Sequence, residues 1–121
     1  MLHRMPPENE RTVLRATHDL MRRLGLATVF GNPGSTEQNF LEDWPSDFTY
    51  VLGLQEASVL GMANGWSRIM RRPALVSLHS GAGVGNPMGN LLNAWYDKAP
   101  LILLAEQQVR AMAALERCSQ T

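Results

Sequence analysis

The sequence predicts an α/β fold: a three-layer α/β/α arrangement around a parallel sheet of about four strands. Three observations lead there. Short β-rich or apolar runs alternate with segments of helical period, and no internal repeat interrupts them. The run after Pro73 is almost wholly apolar, as a strand covered on both faces must be. The candidate polar groups fall in the loops that follow the strands, where open parallel sheets place their ligands.

In chain order, residues 1–10 read as a loose polar tail. Over residues 11–24, Val13, Leu14, Leu20, Met21 and Leu24 recur at helical spacing, and Gly25 stops the helix. Thr28-Val29-Phe30 is a short strand broken by the turn Gly31-Asn32-Pro33-Gly34. Ser35 is placed to cap a short helix over residues 36–44, which Pro45 ends. A second strand covers residues 48–52, and a helix containing Glu56 runs to residue 70. The third strand spans residues 74–79, followed by a glycine-rich turn over 80–86 and a helix over 87–96. Residues 101–105 form a fourth strand, and the alanine-rich stretch 110–117 has helical character. Trp66, Trp95 and Tyr96 are expected to pack between helices and sheet.

Composition narrows the function. Of 121 residues, 45% are apolar and 18% charged, the mix of one packed domain. Eleven basic side chains balance eleven acidic ones, which argues against nucleic acid or an anionic membrane as partner. Arg68, Arg71 and Arg72 suit the negative end of a helix dipole. The single cysteine, Cys118, excludes a disulfide within the chain, and no zinc spacing exists, so no metal ligand is assigned. The start lacks a secretory signal pattern, and no apolar run approaches the roughly 20 residues of a membrane span. A cytoplasmic location is expected.

Glu56 is the most informative residue. On a helix it shares a face with Val59, Leu60 and Ala63, which turns a carboxylate toward apolar surroundings. A buried carboxylate takes up a proton or meets a specific ligand. The plainer reading is a first-turn glutamate favouring the positive helix end. His79 ends a strand and can trade protons near neutrality, although a lone histidine is more often structural. Gly81, Gly83 and Gly85 precede a helix, but no Lys-Ser or Lys-Thr makes a P-loop, and Asn86 occupies the last glycine position of the dinucleotide fingerprint.

Four stretches then combine: Phe30-Gly31-Asn32-Pro33-Gly34-Ser35; Leu54-Gln55-Glu56-Ala57; Leu78-His79-Ser80 with Gly83-Val84-Gly85-Asn86; and Ala105-Glu106-Gln107-Gln108-Val109-Arg110. In order and spacing they resemble the N-terminal, pyrimidine-binding domain of thiamin-diphosphate-dependent decarboxylases, the benzoylformate decarboxylase branch above all. The resemblance implies that Glu56 hydrogen-bonds the cofactor's aminopyrimidine ring and so promotes loss of the thiazolium C2 proton. It implies that His79 handles proton transfers and that Ser35 binds the carboxylate of a 2-oxo acid substrate. Asn32, Pro33, Gly34, Gly83, Gly85 and Asn86 would line the cofactor cleft.

The family's diphosphate-binding segment, with Gly-Asp-Gly and a later asparagine for Mg2+, does not occur in these 121 residues. Residues 11–112 therefore read as a partial domain, and residues 113–121 as a divergent tail, as in a truncated or frameshifted gene. The expected function is the pyrimidine-binding part of a 2-oxo acid decarboxylase, inactive alone. The alternatives are an acetolactate-synthase-like carboligase, a module that pairs with a homo-oligomeric copy or a separate diphosphate-binding chain, and a non-functional remnant.

Overall fold

The computed structural model describes residues 12–106. The expected tail over 1–10, the division after residue 112 and the helix over 110–117 lie outside them. The described residues form α1 (Val13–Leu24), β1 (Thr28–Gly31), α2 (Gln38–Leu41), β2 (Thr49–Leu52), α3 (Glu56–Met70), β3 (Ala74–Leu78), α4 (Ser80–Gly85), α5 (Met88–Tyr96) and β4 (Leu101–Ala105). The four strands make one sheet in the order β2-β1-β3-β4, with every pair parallel.

Alternation along the strands divides the core into two layers, because successive side chains point to opposite faces. Phe30, Ala74, Val76 and Leu78 meet Val59, Leu60 and Ala63 of α3 on one face. Val29, Leu75 and Phe48 meet Met21 of α1 and Leu26 on the other. Each fully buried Val or Leu contributes about 1.5–3 kcal/mol, and all five residues of β3 are buried. Thr12 caps α1 by accepting from the Arg15 backbone N–H, and Gly25 closes it at φ 71°, in the left-handed region that glycine adopts without strain.

Three expectations change. The glycine-rich turn is helical over Ser80–Gly85. The short helix begins only at Gln38, with Glu37 at its N-cap position, so Ser35 is not its cap. Trp66 does pack edge-on against Phe30, but Trp95 and Tyr96 are 79% and 75% exposed. They lie on α5, where no described element covers them; Trp95 lies beside the exposed Leu103 of the edge strand β4, and Ile102 is exposed on the opposite face of the sheet.

His18 sits buried on α1 against Phe40, Trp44 and Phe48, and its Nε2 has no hydrogen-bond partner. Burial, then the nearby Arg22 cation, lowers its pKa from the usual 6.5. The unfolded chain therefore takes up this proton at a higher pH than the folded one. The stability tied to His18 is complete above about pH 6.5 and is lost as pH falls below it. Urea unfolding between pH 7 and pH 5 is expected to show that decline in the wild type and a flatter profile in His18→Leu.

Candidate functional site

β1 has β2 on one side and β3 on the other, so the chain reverses its direction of travel across the sheet at β1. The loops leaving the C-terminal ends of β1 and β3 consequently border one crevice, the usual ligand position in open α/β sheets. The loop after β2 joins them, because Glu56 opens α3 immediately beyond it.

Glu56 is the first residue of a 15-residue helix and is partly buried. Its Oε1 accepts from Asn32 Nδ2 at 3.0 Å, and its Oε2 accepts from Asn86 Nδ2 at 2.6 Å. The carboxyl thus gathers an amide from the loop after β1 and another from the end of α4. Its own backbone N–H, then Asn32, lower its pKa, outweighing burial; Asn86 and the His79 charge add to the effect. The first-turn reading describes this residue. Uptake of a proton through burial does not, since the donors win.

His79 follows β3 directly, at the N-cap position of α4. The next residue, Ser80, has φ 52°, a left-handed conformation that is strained for a residue with a side chain. This sharp strand-to-helix bend holds the imidazole at the sheet edge. The Nδ1 atom lies 2.9 Å and 3.1 Å from the two carboxylate oxygens of Glu37 and 3.0 Å from Thr36 Oγ1. Glu37 Oε2 also accepts the Gly34 backbone N–H at 2.7 Å. The Glu37 side chain is 1% exposed. Burial pushes its pKa up, but the donors Gly34 N–H, His79, its own backbone N–H and Thr36 together bring it below the usual value.

Gly83 joins the two halves. A β-carbon there would lie 3.6 Å from His79 Cβ and 3.7 Å from Glu56 Cγ. Asn32, Glu56, His79, Gly83 and Asn86 are therefore brought together, with Pro33 and Gly34 in the adjoining loop. Ser35 is exposed in a bend beside them, and Gly85 is exposed with open space where its β-carbon would be. Neither touches Glu56 or His79 through a hydrogen bond in the structure. The residue that the sequence reading omits is Glu37. Its signal is the Gly34-Ser35-Thr36-Glu37 spacing, in which a glutamate three residues on reaches back to a backbone N–H, as in a capping box.

Residues 11–120 match the family described as thiamine pyrophosphate enzyme, N-terminal TPP binding domain. The chain belongs to that family. Benzoylformate decarboxylase of Pseudomonas aeruginosa is 55% identical over 106 residues, 88% of this chain and 20% of that protein. The crystal structure of benzoylformate decarboxylase from Polynucleobacter necessarius aligns with a TM-score of 0.81 and 57% identity, covering 85% of this chain and 19% of that one. The thiamine diphosphate-dependent 4-hydroxybenzoylformate decarboxylase of Rhodococcus jostii RHA1 aligns at 0.82 and 50% identity, covering 88% and 20%. Acetolactate synthase of Arabidopsis thaliana matches more weakly, at 25% identity over 99% of this chain and 18% of its own length. The chain thus spans about a fifth of the length of these relatives. No helix among the described residues is long and apolar enough to cross a membrane.

A β-carbon added at Gly34 would stand 2.5 Å from His79 Cε1 and Nδ1, closer than side chains tolerate. Gly34→Ala is expected to displace the ring and to destabilise the fold by about 1–3 kcal/mol. Chemical denaturation measures the loss, and the His79 ring proton shifts report the displacement.

The ionised Glu37 carboxylate gives a second expectation, with the sign set by its lowered pKa. Its stabilising contribution is present above the unfolded value of about 4.5 and is lost as pH falls through the folded one. Glu37→Gln should remove this part of the acid limb in urea unfolding between pH 5 and about pH 3.

Proposed function

We propose that this chain supplies the pyrimidine-facing side of a thiamin diphosphate site in a 2-oxo acid decarboxylase of the benzoylformate type. The observation that carries the reading is the Glu56 carboxylate at the start of α3, tied to Asn32 and Asn86 and beside His79. The donor set fits an aminopyrimidine: an ionised carboxylate pairs with a protonated ring nitrogen, and the surrounding loop amides can serve an exocyclic amino group. When bound, thiamin diphosphate supplies the electron sink for breaking the bond to the carboxylate.

The protein groups have separate tasks. Glu56 accepts and returns a proton at its carboxylate, and Asn32 and Asn86, each donating to one of its two oxygens, keep the carboxylate oriented. His79 exchanges protons with the reacting 2-oxo acid. The exposed Ser35 hydroxyl is available to hydrogen-bond the substrate's carboxylate. Gly83 of α4 lies against both groups at ordinary contact distance. The diphosphate and its Mg2+ require groups that these 121 residues do not contain, so the complete site needs another domain or subunit, in a homo-oligomer or from a separate diphosphate-binding chain. The exposed apolar side chains of α5 and β4 favour an assembled form. The weaker match to acetolactate synthases leaves carboligation as the lesser reading.

Titration of the 15N-labelled chain with thiamin diphosphate should shift the side-chain amides of Asn32 and Asn86, and Glu56→Gln should weaken binding at least about tenfold, or ~1.4 kcal/mol. Unmoved amides at saturating cofactor would reject the site. The 121-residue chain given cofactor, Mg2+ and benzoylformate is expected to release no carbon dioxide above blank; turnover would refute the dependence on a second half.

A further inference from the structure

We propose that Glu37 is the positioning residue for His79: its buried carboxylate fixes the imidazole with the proton on Nδ1 and leaves Nε2 as the nitrogen that exchanges protons. The link to catalysis rests on the reading of His79 above, whereas the geometry stands without it.

Three contacts define the arrangement. Both Glu37 oxygens lie within 3.1 Å of Nδ1. One of them is already engaged by the Gly34 N–H at 2.7 Å. The Glu37 side chain is 1% exposed, so water cannot take the place of a lost partner. An ionised carboxylate only accepts hydrogen bonds. An unprotonated Nδ1 would set its lone pair against two acceptor oxygens of an enclosed carboxylate. The proton therefore stays on Nδ1 in the neutral ring as well as in the charged one.

Thr36 does not fix the tautomer, although its Oγ1 is 3.0 Å from Nδ1. A hydroxyl rotates and can either donate or accept, so it adapts to whichever form the carboxylate imposes. Orientation comes from the same contact. Gly34 offers the ring a surface without a β-carbon, and the Nδ1–H bond sets the ring's rotation over it. A histidine anchored at one nitrogen presents the other in a constant direction, which is how carboxylate–imidazole pairs act in unrelated enzymes. The other acid near His79, Glu56, is bound by its own two amides and acts on the ring only through space.

The test is 15N NMR of the His79 ring in the 121-residue chain at neutral pH, without cofactor. Wild type should show Nδ1 protonated and Nε2 bare. In Glu37→Gln the side-chain amide faces Nδ1 with N–H groups, and the Nδ1–H to Nε2–H population ratio should fall by at least about tenfold, one pKa-unit equivalent. Thr36→Val should leave the ratio unchanged. A wild-type ring protonated on Nε2, or a folded Glu37→Gln with an unaltered ratio, would overturn the proposal. Should Glu37→Gln not fold, the wild-type ring and Thr36→Val decide it. Because no cofactor is present, failure of the thiamin titration and failure of this test are separate results.

Discussion

Everything in the site depends on the position of β1 between β2 and β3. A strand flanked on both sides by later strands sends its own C-terminal loop between theirs. The loop carrying Asn32, Gly34 and Glu37 therefore lies between the start of α3 and the end of β3. Its two ends of polarity are used separately: Asn32 reaches Glu56 on one side, and Glu37 reaches His79 on the other. Without that pairing order the two contacts could not arise from one short loop.

Two carboxylates then receive different environments from neighbouring elements. Glu56 has the start of a long helix, two amides and partial access to solvent. Glu37 is enclosed and is satisfied by a backbone N–H and an imidazole. Both stay ionised, yet for different reasons: the first has favourable donors with little burial to overcome, the second has donors sufficient to outweigh burial. The first keeps partial access to solvent, while the second is enclosed and committed to a protein group.

Close backbone approach is the remaining requirement. Gly34 against the His79 ring is the position where a side chain would separate the groups, whereas Gly83 lies between His79 and Glu56 at ordinary contact distance. Gly85 makes no such approach, and its glycine has no steric explanation in the described residues. The strained Ser80 belongs with the first two, since it turns the chain sharply enough to begin α4 directly after β3.

The alternating elements, the apolar third strand and the polar loops at strand ends were legible in the chain because they depend on local periodicity and turn chemistry. Asn32, Glu56, His79, Gly83 and Asn86 were legible as a set through their resemblance to a family, and the fold brings them together. Three matters belonged to the tertiary structure alone. Ser80–Gly85 is helical with only Gly83 buried, against the end of β3 and the start of α3, an outcome that the weak helix propensity of glycine does not signal. Trp95 and Tyr96 are exposed because burial depends on what lies opposite, which no local pattern encodes. The role of Glu37 became visible only through His79, 42 residues away: its spacing from Gly34 marks it in sequence only as a backbone-binding acid near a helix start, and only the pairing of β1 with β3 surrounds it with protein.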